Sequence, residues 1–270
     1  MRSHNMRAVA SAANSLMKVF RRALADGTTK QGWLAVEGPF LVEEALKAAP
    51  RVKTHSVLVA SGAVGKFTAL LDRLPQESEI THVPDRLFEG VAQTQTPQGI
   101  AALVELPDYT LEQVAAVSNP LLVLACRIQD PGNLGTMMRT ALAFSVSGFL
   151  TLRETVSPFN PKAVRASAGA IFHLPLVLDL AAQEALPFLS RRVRIVGAER
   201  HSPSPLAQAD LTGSIAVLVG REASGLPEEI ARYASQLLSI PIRKEVDSLN
   251  AATAASIFLY EAARQRGFKY

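Results

Sequence analysis

Cysteine is almost missing from this 270-residue chain: Cys126 stands alone, which excludes a disulfide framework and any cysteine-based zinc site within one chain. The five histidines are scattered without His-Glu-x-x-His spacing, so no metal site is expected. No uninterrupted apolar run reaches the roughly 18 residues of a membrane span. The N-terminus also lacks the apolar core and cleavage pattern of a signal peptide, which leaves the cytoplasm as the default location. Gly-x-Gly-x-x-Gly, the Walker A lysine loop and the Gly-x-Ser-x-Gly elbow are absent too. That removes the usual warrants for dinucleotide, nucleotide and serine-hydrolase chemistry.

What is present is a globular balance, with 48% hydrophobic and 19% charged residues, enough to bury the cores of two modest domains. A net charge of +4 permits a polyanionic partner without requiring one. The positive charge gathers early: Arg2, Arg7, Lys18, Arg21 and Arg22 precede any acid. Such a stretch is either an arm that touches phosphate or a solvated helix face.

Val9, Ala12, Leu16, Val19, Phe20 and Ala23 recur at helical spacing and predict a helix over 8–25, stopped by Asp26-Gly27. Strands then alternate with helices. Strands are expected at 33–36, 57–60, 79–83 and 100–105, and helices from Pro39 through Leu46, at 63–74 and at 85–92. This is a small α/β unit, residues 1–106. Pro107-Asp108 and Ser118-Asn-Pro120 mark a linker, 107–119. The second domain, 120–270, offers apolar strands at 121–125, 149–152, 174–178, 194–198, 215–220 and 237–241, with helices at 134–144 and 162–170 among them. Strands alternating with helices in this way form a mostly parallel sheet, whose ligands bind at the carboxyl ends of the strands.

Three strand-end loops carry the candidate chemistry. In Asp130-Pro-Gly-Asn-Leu-Gly-Thr-Met-Met-Arg139, Asn133 can cap the helix and Arg139, nearly two turns later, is expected close to the same face. In Val219-Gly-Arg-Glu-Ala-Ser-Gly-Leu226, Gly220 and Gly225 bracket Glu222, whose carboxylate can accept hydrogen bonds from a ligand or from loop NH groups. The third loop, 238–250, leads into a helix that opens Ala251-Ala-Thr-Ala-Ala and can be capped by Ser248 or Asn250. Small side chains there allow a backbone or flat ligand to approach closely. Each loop alone also reads as an ordinary capped helix or turn.

Taken in series, the three loops resemble the motifs of the SpoU or TrmH family of RNA ribose 2'-O-methyltransferases, in the SPOUT superfamily. Asp130-Pro-Gly-Asn-Leu-Gly-Thr with Met-Met-Arg-Thr-Ala141 is similar to the first motif, and Gly220-Arg-Glu-Ala-Ser-Gly-Leu226 to the second. Ile240-Pro-Ile, Ser248-Leu-Asn250 and Tyr260-Glu261 are similar to the third. Upstream, Val36-Glu-Gly-Pro-Phe-Leu-Val-Glu-Glu-Ala45 and Thr96-Pro-Gln-Gly-Ile100 resemble the L30e-like substrate-binding domain of many members.

The resemblance implies a C-terminal trefoil knot holding S-adenosylmethionine and a homodimer with the site near its interface. It implies that Gly220, Ile240 and Leu249 meet the cofactor through backbone, that Ala198, Glu222, Ser248 and Asn250 line or brace its pocket, and that Asn133 and Arg139 face the ribose, Arg139 as catalytic residue. It also implies ribosomal RNA as substrate ahead of transfer RNA, bound by the first domain with Arg7, Lys18, Arg21, Arg22, Lys162 and Arg165. A non-catalytic RNA-binding protein and an α/β enzyme on a small molecule are the alternatives. The first draws on Lys244, which stands where the family commonly has glycine: losing access to positive φ is expected to send that loop along another path.

Overall fold

The computed structural model of the protein describes residues 6–221 and 225–268, so Arg2 and Glu222 lie outside the described residues. The chain divides into two compact units. One runs up to Pro107 and takes in Phe159–Arg165, and the other comprises Asp108–Pro158 and the chain from Ala166 onward.

The first unit is built on a mixed sheet. In chain order come β1 (Met6–Ala8), α1 (Ser15–Asp26), β2 (Leu34–Glu37), α2 (Pro39–Lys47) and β3 (Lys53–Ala60); then α3 (Thr68–Leu71), β4 (Glu79–Val83), α4 (Asp85–Glu89) and β5 (Ile100–Glu105). The strand order is β1-β4-β3-β5-β2, with β1 and β3 parallel to β4, and β2 and β3 antiparallel to β5. Met17, Phe20, Leu58, Val83, Phe88 and Leu103 fill one side of it.

The helix expected over 8–25 starts later. Met6–Ala8 is spent on an edge strand paired with Ile80–His82, and the Asn14 side chain accepts from the Leu16 NH to begin α1 at Ser15. Its buried face is Met17, Phe20, Ala23 and Leu24, while Val19 is exposed. Pairing across the sheet overrode a periodicity that Val9 and Ala12 fitted by chance. The helix expected over 63–74 is also broken, into 3-10 turns at Ser61–Ala63 and Gly65–Phe67 followed by α3, because Gly65 interrupts it. The helix over 85–92 shortens to α4.

The second unit carries α5 (Leu111–Ala115), β6 (Leu121–Ala125), α6 (Pro131–Ala143), β7 (Gly148–Leu152) and α7 (Pro161–Ala166), most of which groups with the first unit. Then follow β8 (Leu176–Leu180), α8 (Ala182–Ser190), β9 (Arg194–Ala198), β10 (Ile215–Val219), α9 (Glu228–Ala231), β11 (Gln236–Leu238) and α10 (Ala251–Gln265). The sheet order is β11-β9-β10-β6-β7-β8, and every pairing is parallel. β6, β7 and β10 are buried along their whole length, which is why they read as unbroken apolar runs. The helix expected over 162–170 ends at Ala166, before Ala168 and Gly169 adopt left-handed backbone.

The end of α10 ties the unit together. Arg266 donates from Nε to the Leu211 carbonyl (3.3 Å), from Nη1 to Asn119 O (3.0 Å), and from Nη2 to Pro120 O (3.4 Å) and Gly213 O. Burial pushes its pKa down, so these carbonyls offset a real desolvation cost. One residue earlier, Gln265 accepts from the Leu211 NH (2.7 Å) and donates to Ala209 O (2.9 Å). Glu261, held down to about 2 by its bonds from Arg264 and Gln265, orients that amide. Arg266→Ala strands several carbonyls and is expected to lower stability by about 2–3 kcal/mol, read from the urea midpoint at unchanged m-value.

Candidate functional site

β9, β10 and β11 are adjacent and parallel, so their carboxyl ends at Ala198, Val219 and Leu238 open onto one edge. A cavity forms there, walled by Ala198, Gly220, Ile240, Ser248 and Leu249 and floored by Ala251, Ala254 and Phe258 of α10. The second and third of the loops singled out from sequence therefore meet at this cavity, and the first does not line it. Asn133, Asn250 and Arg139 do not line this cavity; they stand beside it on α6 and at the start of α10.

Gly220 is there because the chain turns straight back on itself. A Cβ at this position would lie 2.4 Å from the Gly225 carbonyl oxygen. The Gly225 NH donates to Arg221 O (2.9 Å), and Gly225 takes φ +65, a region where glycine is needed.

Asn250 joins two helices. Its Oδ1 accepts from the NH groups of Ala252 (2.9 Å) and Thr253 (3.2 Å), and its Nδ2 donates to Asn133 Oδ1 (2.8 Å). Of the two possible caps, Asn250 is the one used. Further along the same contact the hydroxyls of Thr140 and Ser256 are 3.0 Å apart. Asn133 itself does not cap α6. Pro131 at the first helical position starts the helix earlier, and Asp130 Oδ1 accepts from the Asn133 NH (2.8 Å). Arg139 is exposed, and its six-residue separation from Asn133 is about one and two-thirds turns, which sets them roughly a third of a turn apart instead of on one face.

Replacing Asn250 separates its two jobs. Asn250→Ala is expected to cost about 1–2 kcal/mol for the lost cap, while Asn250→Asp keeps the acceptor and suits the helix start but cannot donate to Asn133. Loss of turnover in both variants with loss of stability in alanine alone would assign the Asn133 bond to activity; unfolding curves paired with initial rates measure it.

The polar groups missed from sequence are Glu199, half-buried in the wall, and Arg200 and Arg221 at the rim. Glu199 follows β9 directly, so the strand-end rule could have found it. Arg200 pairs with the exposed Asp247 at 3.2 Å, a contact worth little in water. Lys244 sits in a turn closed by the Val246 NH to Arg243 O (3.0 Å), and its φ is not positive. Lysine there strains nothing. Cys126 is buried and its thiol is pushed up to about 11 by desolvation, which leaves it unreactive. Among the described residues no cluster of His, Cys, Asp and Glu could hold a metal ion.

The basic residues singled out from sequence lie on the surface. Arg7, Lys18, Arg21, Arg22, Lys162 and Arg165 are all exposed, with Arg22 paired to Asp26 (3.2 Å) and Arg21 Nε donating to Gly90 O (3.3 Å).

Comparison with known proteins points the same way. Residues 120–260 match the SpoU rRNA Methylase family, and residues 35–110 match the domain described as RNA 2'-O ribose methyltransferase substrate binding. The chain is 31% identical over 256 residues to the 23S rRNA (guanosine(2553)-2'-O)-methyltransferase RlmP of Bacillus subtilis, covering 94% of this chain and 98% of that one. It is 31% identical over 209 residues to the 23S rRNA (uridine(2479)-2'-O)-methyltransferase of Streptomyces viridochromogenes, covering 75% and 73%. The crystal structure of the SpoU methyltransferase AviRb from Streptomyces viridochromogenes, in complex with the cofactor AdoMet, superposes with a TM-score of 0.83 at 26% identity, covering 95% of this chain and all of that one.

Proposed function

The chain belongs to the SpoU rRNA Methylase family, and from that premise we infer that it moves the methyl group of S-adenosylmethionine to a ribose 2'-hydroxyl in ribosomal RNA. The observation that carries this reading is the cavity at the ends of β9, β10 and β11, with Asn250 linking its α10 floor to Asn133 on the helix that bears Arg139.

The lining of the cavity, whose open volume is about 90 Å³, suits the chemistry of the cofactor. Ile240, Leu249 and Phe258 make an apolar bed for an adenine ring, Ala251 and Ala254 leave room for it, and the Glu199 carboxylate is an acceptor for sugar hydroxyls or an ammonium. Gly220, Ile240 and Leu249 bring backbone groups to the wall. When bound, S-adenosylmethionine supplies an electrophilic methyl carbon. The chain's own contribution is mostly positioning. Asn133, fixed by its bond from Asn250, presents a polar edge beside the cavity. Arg139 holds the phosphate next to the reacting ribose and stabilises negative charge on its 2'-oxygen. A guanidinium, always charged in proteins, suits that role and not proton abstraction.

Two assembly features belong to the same reading. A homodimer is supported by Leu142, Tyr260 and Phe268, exposed near the ends of α6 and α10, with Tyr260 in ring contact with Phe144 and Phe268. A trefoil knot is supported by the loop after β9, which exchanges backbone bonds with the chain after β11: Leu206 N to Ser239 O (2.8 Å) and Ser239 N to Ser204 O (2.9 Å). RNA would be held by the first unit and its exposed arginines and lysines, whose phosphate contacts give affinity and salt dependence but no sequence choice.

The test is mass spectrometry of nucleosides from wild-type and gene-deleted cells. Loss of one 2'-O-methyl nucleoside from ribosomal RNA is expected; loss from transfer RNA alone would move the substrate. Calorimetry with S-adenosylmethionine separates the enzyme from a non-catalytic RNA-binding protein, which would bind none.

A further inference from the structure

A second cavity, of about 240 Å³, opens at the other half of the same strand-end edge. β6, β7 and α8 bring Arg127, Arg153, Glu154 and Gln183 to it, and α9 with its following turn brings Glu229, Arg232 and Tyr233. Of its lining only Arg127 comes just before the Asp130-to-Asn133 turn in the chain, and the cavity shares no residue with the cofactor cavity.

The backbone around it is held in a costly shape. Arg127 and Glu154, each just past the end of a neighbouring parallel strand, take φ of 55 and 68, a left-handed conformation that side chains with a Cβ disfavour and that clusters at ligand sites. Several bonds fix it. The Arg127 NH donates to Thr155 Oγ1 (3.0 Å), Gln129 Nε2 donates to Glu154 O (2.6 Å), and Arg127 Nε pairs with Glu154 at 2.8 Å. Arg127 also reaches Glu229 at 3.5 Å. Its charge is therefore spent on the two carboxylates of the wall.

Two guanidinium groups of the lining are left without an ion pair. Arg153 and Arg232 are exposed at the cavity and have no carboxylate partner among the described residues; Arg232 lies over the Tyr233 ring at 5.1 Å and donates from Nη2 to the Tyr233 hydroxyl (3.3 Å). The lining sets three guanidinium groups against two carboxylates, a net charge of +1, and two of the three guanidinium groups have no carboxylate partner, which suits an anion with several acceptor oxygens.

We propose that this cavity is a second RNA contact, in which Arg153 and Arg232 hold a phosphodiester of the substrate strand flanking the nucleotide at the first site. The inference rests on the RNA methyltransferase reading. Arg127 with Glu154 and Glu229 is the frame of the site, and Arg153 and Arg232 are its grip.

The experiment compares wild type with R153A/R232A and R153K/R232K. It measures binding to an unmodified 23S ribosomal RNA transcript across a potassium chloride series, and calorimetry with S-adenosylmethionine and with inorganic phosphate. Because both residues are exposed, the variants should fold. For the alanine variant a rise in RNA Kd of about 10–100-fold is expected, with the salt slope reduced by roughly one to two and cofactor affinity unchanged; lysine should restore most of the slope. An RNA Kd and slope equal to wild type overturn the proposal, as does inorganic phosphate binding lost on mutation while RNA binding stays intact, which would make this a small-anion site. Failure of the wild type itself to bind S-adenosylmethionine would instead sink the parent reading.

Discussion

Arg139→Ala is expected to lower single-turnover methyl transfer by about 10²–10³-fold, the usual cost of removing one donor to a developing oxyanion, with the Kd for S-adenosylmethionine changed less than about twofold. Arg139 is exposed on α6, outside the lining of the cofactor cavity, and has no ion pair among the described residues. Removing it should therefore leave stability within about 0.5 kcal/mol of wild type. Asn133, on the same helix and anchored by Asn250, stays in place. Arg139→Lys keeps the charge but not the planar fork, and should recover only part of the rate. Rapid-quench kinetics beside calorimetry measure both quantities. Equal losses in rate and cofactor affinity would mean that Arg139 shapes the cavity and does not act on the ribose.

Gly220→Val should raise the cofactor Kd by two orders of magnitude or more. The first atom of any side chain at this position meets backbone: Gly225 O at 2.4 Å, Gly225 C at 2.6 Å and Leu226 N at 2.9 Å. Those atoms belong to the turn that bounds the cavity, so the clash is relieved only by moving the cavity wall. Overpacking of this kind costs about 1–3 kcal/mol in stability, and a displacement near 1 Å is enough to spoil a positioned site. Gly220→Ala should show a smaller effect in the same direction, and Ser248→Ala, at an exposed wall position, should leave the fold untouched. A valine variant that binds S-adenosylmethionine like wild type would place the cofactor elsewhere.

Much of this site could be read from the chain before any tertiary contact was known. Leu121–Ala125 and Ile215–Val219 are apolar without alternation because both faces of a parallel sheet are covered, and that burial leaves its mark in the residues themselves. A cap at Ser248 or Asn250 was recognisable from the small-residue helix behind them, and the structure uses Asn250. Gly220 was singled out as a loop glycine at a strand end, and Ile240 through the family resemblance. Other readings failed for equally local reasons. Asn133 looked like a cap because Asn is a good one, yet Asp130 with Pro131 had already started the helix. Val9 and Ala12 suited a helical period while their neighbours Met6–Ala8 were claimed by β4.

By itself the sequence determined the α/β alternation, the strand-end loops and the motifs whose series resembles the family, since each strand, loop and motif depends on residues within a turn or two of one another. Only the tertiary structure decided that Asn250 meets Asn133 across 117 residues, that Arg266 holds the carbonyls of Asn119, Pro120, Leu211 and Gly213, that Glu199 stands in the cofactor wall, and that arginines from β7 and α9 share a second cavity. These depend on the strand order β11-β9-β10-β6-β7-β8. Hydrophobic periodicity records which face of an element is buried; it carries no record of which element lies beside it.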